Sequence, residues 1–189
     1  MKSLIVTGGG SGLGKVIAEH AVESGYRVGI LDVDEEAVQT TANEIDLPEK
    51  VIPLVASVTS EEQIQNALNA FEAIPDAWIN NAGIVKFGPL LDQPLEDWRS
   101  VVDVNLTGTF IASRTVAKQM KDKGGGSIVN LTSINGISAG TNSGAYGSTK
   151  SAISLLTQQM SIEWGKFGIR VNSLAPGLID GGMSEPIYA

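Results

Sequence analysis

The chain has 189 residues, 42% of them hydrophobic, and a formal net charge of −8 at pH 7, which is enough for one well-buried core and short for two. That acidity argues against a nucleic-acid groove or an anionic membrane surface, both of which need a basic patch. The absence of cysteine excludes disulfides and thiolate metal sites, and a single histidine leaves little material for zinc. Met1 leads straight into an apolar run with no signal-peptide pattern, and no apolar stretch approaches the roughly 18 residues of a membrane span. The expectation is a single cytoplasmic domain over residues 1–189, without metal.

Leu4, Ile5 and Val6 lead into Thr7-Gly8-Gly9-Gly10-Ser11-Gly12-Leu13-Gly14, after which Val16, Ile17 and Ala21 recur with helical spacing. This is strand, glycine turn, helix. Glycines there let the backbone bend and approach a pyrophosphate, whose charge the helix N-terminus favours. Glycines also serve plain turns, but the flanking strand and helix favour the phosphate reading. Tyr26 to Leu31 reads as a second strand that delivers Asp32, where a carboxylate can accept hydrogen bonds from an adenosine ribose. The same charge would repel the 2′-phosphate of NADP, and neither Ser11 nor Val33 offers a cation to welcome it, so NAD is favoured. Asp34, Glu35 and Glu36 read as the capped, acidic start of the next helix. Lys15 reads as a solvated helix lysine, and His20 as structural, with no acid or nucleophile nearby.

Val51 to Ala56 is a third strand, Glu61 to Phe71 an amphipathic helix, and Ala77 to Asn80 a fourth strand ending in Asn80-Asn81-Ala82-Gly83. Such alternation predicts an α/β fold: a Rossmann-type, doubly wound parallel sheet in three layers, α/β/α, binding ligands beyond the carboxyl ends of its strands. Pro94 to Lys121 predicts a long helix bent near Asn105, a residue whose local sequence leaves open whether it marks a bend or holds water at a site. Ser127 to Thr132 is a fifth strand carrying Ser133 to the carboxyl edge. The helix opened by Tyr146-Gly147-Ser148-Thr149-Lys150 sets Tyr146 and Lys150 four residues apart, on one face. Arg170 to Leu174 is a sixth strand, followed by the Pro176-Gly177 turn.

With these motifs in order, the chain resembles a short-chain dehydrogenase/reductase over nearly its whole length. The matches are Thr7, Gly8, Gly12 and Gly14 in the glycine turn, Asn80 to Gly83, Asn105, Ser133, Tyr146 with Lys150, and Pro176-Gly177. The resemblance implies cofactor contacts from Gly8, Ser11, Gly12, Leu13, Gly14, Asp32, Ser57, Val58, Asn81, Ala82, Gly83, Pro176, Gly177 and Ile179, together with Tyr146 and Lys150. It implies a catalytic set of Asn105, Ser133, Tyr146 and Lys150, in which Tyr146 exchanges a proton with the substrate oxygen while hydride passes between a small-molecule alcohol or ketone and NAD. Ser133 would bond the substrate oxygen, and Asn105 would hold a water linking Lys150 to solvent.

Three departures accompany the match. Ser57 stands where the family often has aspartate, Gly181 where it tends to have threonine, and Met183 to Ala189 leave no room for the usual substrate cover and seventh strand. The expectation is therefore a sheet lacking its last strand, with the sixth strand as a mostly apolar edge. Two alternatives to the enzyme remain at this point: a non-catalytic NAD-binding regulator, or an inactive fragment of a longer dehydrogenase. Ile84, Asn135, Ile137 and Asn142 are candidate substrate walls. The helices Asp97 to Met120 and Tyr146 to Trp164, with small residues Gly147, Ser148, Ser151 and Ala152, would support a homodimer or homotetramer. A free tyrosine is ionised in about one molecule per thousand at pH 7, and Lys150 at about 4 Å would supply most of the roughly 4 kcal/mol needed to bring it near neutrality.

Overall fold

The computed structural model describes residues 1–179; Gly181 and the segment Met183 to Ala189 lie outside the described residues. Its strands are β1 (Ser3–Thr7), β2 (Arg27–Asp32), β3 (Val51–Val55), β4 (Ala77–Asn80), β5 (Gly126–Leu131) and β6 (Ile169–Leu174). They form one parallel sheet in the order β3-β2-β1-β4-β5-β6. The order reverses between β1 and β4, which opens a crevice at their carboxyl ends. The helices are α1 (Gly12–Glu23), α2 (Glu35–Ile45), α3 (Glu61–Ala70), α4 (Leu95–Val101), α5 (Gly108–Lys123) and α6 (Gly144–Trp164).

The strand period of two places alternate residues in separate cores. Leu4, Val6, Val28 and Ile30 pack with Ala18 and Val22 of α1 and Val38 of α2. Ile5, Leu31 and Leu54 face the other way, onto Ile64 and Leu68 of α3, Val116 and Met120 of α5, and Met160 of α6. The three-layer expectation holds. Pro53 lies in β3, an edge strand, where a missing N–H is tolerated. Asp34 caps α2 by accepting from the Ala37 amide, and Ser60 caps α3 through the Gln63 amide.

The long helix expected from Pro94 is a continuous run from Leu95 to Lys123, interrupted by a π-helical stretch at Val102–Thr107. Asn105 lies inside that stretch. The π-helical stretch thus falls where the bend was expected, and such a bulge widens the backbone ring and re-aims side chains.

Three surface readings change. His20 has an acid beside it, with Nδ1 3.0 Å from the Glu23 carboxylate on the exposed face of α1. Lys15 pairs with Glu44 of α2. In β6 only Ile169 and Val171 are buried, while Arg170, Asn172, Ser173 and Leu174 are exposed; the strand alternates rather than reading as mostly apolar, and is terminal in the sheet among the described residues.

Under β4 and β5 the core is polar. Asn80 Oδ1 accepts from Trp78 Nε1 at 2.7 Å, and Asn80 Nδ2 donates to Ser113 of α5 and to Asn130 Oδ1 of β5, both at 2.7 Å. Asn130 Nδ2 in turn donates to Thr157 of α6 at 2.9 Å. The network fixes α5 and α6 against the middle of the sheet, at a place where apolar contacts alone would allow sliding. Asn130→Leu leaves one Asn80 amide hydrogen without its acceptor and removes the donor to Thr157. We expect it to cost roughly 2–3 kcal/mol in urea unfolding; a loss below about 0.5 kcal/mol would show the network to be incidental.

Candidate active site

The crevice begins at the end of β1. The Thr7 hydroxyl accepts from the Asn81 and Ala82 amides at 3.1 and 3.0 Å, so it joins β1 to the loop after β4. Asn81 Nδ2 donates to the carbonyls of Thr7 and Gly8, both at 3.0 Å. Gly8 turns at φ +64° beneath this clasp, and a Cβ on Gly14 would collide with the Gly8 carbonyl oxygen. These two glycines are required by close packing. The first turn of α1 carries no acid, and its N-cap Ser11 makes no side-chain capping bond. Its leading N–H groups and dipole are left to an anion, which fits a dinucleotide pyrophosphate.

Asp32, at the end of β2, does more than the sequence implied. Its Oδ2 accepts from the Gly10 amide at 3.1 Å and its Oδ1 from the Val33 and Asp34 amides at 2.7 and 3.3 Å. The carboxylate braces the glycine turn and retains acceptor capacity at Oδ2 for a ribose hydroxyl. Thr41 of α2, buried, donates to the Gly10 carbonyl at 3.0 Å. Ser57 is less available than expected, because its hydroxyl is paired with Thr59 at 2.8 Å.

At the other end, Ser133 leaves β5 in extended conformation, and its Oγ accepts from the Asn135 amide at 3.1 Å. Tyr146 lies in the first turn of α6. That turn is capped from afar: Ser143 makes no capping bond, and Gln93 Oε1 accepts from the Ala145 amide at 3.1 Å. Lys150, one turn on, is only 5% exposed; its Nζ donates to the Leu131 carbonyl at 2.8 Å and lies 5.4 Å from the centre of the Tyr146 ring. The expected proximity of tyrosine and lysine is present. Asn105 is fully buried: Oδ1 accepts from the Ile84 amide at 2.8 Å, while Nδ2 donates to the Ile84 carbonyl at 2.9 Å and to Thr149 at 3.3 Å. Its side chain ties the loop after β4 to α6, so its visible work is to brace rather than to reach into the cavity.

One cavity of about 620 Å³ gathers Gly8, Ser11, Gly12, Leu13, Asp32, Ser57, Val58, Asn81, Ala82, Gly83, Ser133, Tyr146, Lys150, Pro176, Gly177 and Ile179. Gly14 and Asn105 stand behind its wall. Of the four candidate substrate walls, Ile84 and Asn135 line it; Ile137 and Asn142 do not. Val85, Phe87, Ile134 and Leu178 do instead. Gln93 and Thr41 were missed because each acts across long sequence separations, for which local pattern carries no signal. Gly147 packs against the Asn135 carbonyl of its own chain, while Ser148 and Ser151 face outward.

Burial governs the charges. It pushes the Tyr146 phenol up from its ordinary value, opposed by a hydrogen bond with Ser133. Burial also pushes Lys150 down to about 8, and among the described residues no ion pair includes it. The expectation that Lys150 draws the phenol toward neutrality is therefore not met by the polypeptide alone: the ammonium is engaged by Leu131, and the burial that raises the phenol is opposed by Ser133.

The sequence profile of the family described as short chain dehydrogenase matches residues 2–189. A 3-alpha-(or 20-beta)-hydroxysteroid dehydrogenase of Mycobacterium tuberculosis is 36% identical over 188 residues, which are 97% of this chain and 71% of that protein. Among solved structures, a 3-oxoacyl-[acyl-carrier protein] reductase of Brucella melitensis with bound NAD is 33% identical, with a TM-score of 0.90 over 95% of this chain and 71% of its own. A gluconate 5-dehydrogenase of Burkholderia cenocepacia, in complex with NADP and tartrate, is 31% identical, with a TM-score of 0.93 over 99% of this chain and 75% of its own.

The lysine gives a pH test. Its folded-state pKa of about 8 lies below the 10.5 of an ordinary lysine, so between those values the unfolded chain binds more protons and stability rises with pH. Relative to Lys150→Met, the wild-type chain should gain roughly 3 kcal/mol across that window in urea unfolding. A difference that stays flat with pH would contradict the burial argument.

Proposed function

The chain belongs to the short-chain dehydrogenase family and is an oxidoreductase; from that premise we propose that it interconverts a secondary alcohol and a ketone with NAD(H) as partner. The observation that carries the reading is the convergence of Ser133, Tyr146 and Lys150 on the cavity that also contains the glycine turn and Asp32. The glycine turn would hold the pyrophosphate, Asp32 the adenosine ribose, and Asn81 to Gly83 with Pro176 and Gly177 the nicotinamide half. When bound, the cofactor supplies the exchange of hydride with the substrate carbon.

The side chains manage the proton. Tyr146 gives its phenolic proton to the carbonyl oxygen in reduction and takes it back in oxidation. Ser133 bonds the same oxygen and orients it. Lys150, with its pKa lowered to about 8, sits close enough to neutrality to relay a proton and to stabilise the phenolate as it forms. Asn105 holds the Ile84 backbone and Thr149, and so keeps the wall and α6 in register. NAD is favoured over NADP because the Asp32 carboxylate, which lines the cavity beside the glycine turn, would repel a 2′-phosphate and neighbouring Val33 supplies no cation. We further propose association into a homodimer or homotetramer through the long helix and α6, whose outward residues include Phe110, Leu155 and Ile162.

Tyr146→Phe keeps the ring and removes the proton. Turnover should fall by about 10²–10⁴, while the NADH dissociation constant stays within a few-fold. A variant that retained its turnover would remove Tyr146 from the mechanism.

A further inference from the structure

The cavity that holds Ser133 and Tyr146 also takes in Ile84, Val85, Phe87, Ile134 and Leu178, with Asn135 as a side-chain amide, and even around the glycine turn and Asp32 its lining includes Leu13, Leu31, Val33 and Val58. Phe87 and Ile134 are 48% and 53% exposed, large side chains left in contact with water on a surface that faces the reacting groups. Exposed apolar area of this kind is covered when a ligand of matching chemistry enters.

Charge narrows the choice. The charged groups among the lining residues are Asp32 and Lys150. Asp32, at the end of β2, is engaged by the Gly10 amide of the glycine turn, and the Lys150 ammonium is buried on the Leu131 carbonyl. Lys86, the cation of the neighbouring loop, lies 4.0 Å from Asp97 and does not line the cavity. Among the described residues a carboxylate or phosphate on the substrate would therefore lose water without gaining a cation, and a polyol would find few side-chain partners besides Ser133, Asn135 and Tyr146.

We infer that the substrate is an uncharged carbonyl compound whose body beyond the C=O is mainly hydrocarbon, with Phe87 and Ile134 as the residues that select it. The inference rests on the dehydrogenase reading above. In the reductive direction the ketone carbon gains hydride from NADH and its oxygen gains the Tyr146 proton, yielding the secondary alcohol and NAD⁺.

A matched pair of substrates tests it: cyclohexanone bearing a tert-butyl group, and the same ring bearing a carboxylate, each with NADH. NADH binding is measured first by nicotinamide fluorescence. With binding established, kcat/KM for the neutral ketone should exceed that for the carboxylate by at least about tenfold. Phe87→Ala should raise KM for the neutral ketone several-fold with little change in kcat or in NADH affinity, and Ile134→Lys should move preference toward the carboxylate. Equal or reversed preference overturns the inference, as does NADH binding without reduction of either ketone. Failure to bind NADH overturns instead the reading on which it rests.

Discussion

An ammonium buried in the core, with its proton donated to a backbone carbonyl, sets the terms for the whole site. Lys150 can keep its place only while α6 stays in register with β5, because one residue of sliding would carry Nζ away from the Leu131 carbonyl. A polar link enforces that register: Asn130 of β5 holds Thr157 two turns further along α6. Asn105, from the π-helical stretch, holds Thr149 next to the lysine itself. The cost of burying the charge shows in a pKa lowered to about 8, and that depressed value would suit the lysine to the proton relay proposed for it. In the proposed chemistry, the desolvation that destabilises the ammonium is also what would make it useful.

The cofactor end depends on a different constraint: close backbone packing where the sheet order reverses. Gly8 and Gly14 meet without side chains, Thr7 and Asn81 clamp the ends of β1 and β4 together, and Asp32 with Thr41 fixes both ends of the Gly10 peptide. A loop rich in glycine would otherwise be floppy. Bracing it from β2, α2 and β4 leaves the N-terminus of α1 pre-organised, so that little order has to be gained when an anion arrives.

Much of this was legible in the residues. Six strands and the main helices follow from period and punctuation, as with the apolar run Leu4 to Val6 before the glycines. The meeting of Ser133, Tyr146 and Lys150 at one cavity was legible because the first follows a strand end and the other two share a helix face. Their partners were not. Nothing near Asn105 in sequence announces that its amide embraces the Ile84 backbone, and nothing near Tyr146 announces a cap from Gln93, 52 residues away from Ala145. The balance of charge at Tyr146 was hidden for a related reason. Helical spacing places a positive charge near the phenol, but the desolvation of both groups depends on packing that the sequence does not display.

A dinucleotide cavity with an acid placed to choose between NAD and NADP stands at the centre of the proposed chemistry. The most direct measurement is a pair of titrations of the purified chain with NADH and NADPH, followed by nicotinamide fluorescence. Saturable NADH binding should be at least about tenfold tighter than NADPH binding, as expected from a carboxylate facing a phosphate. Equal affinities, a preference for NADPH, or no binding of either would contradict the role given to Asp32 and the glycine turn.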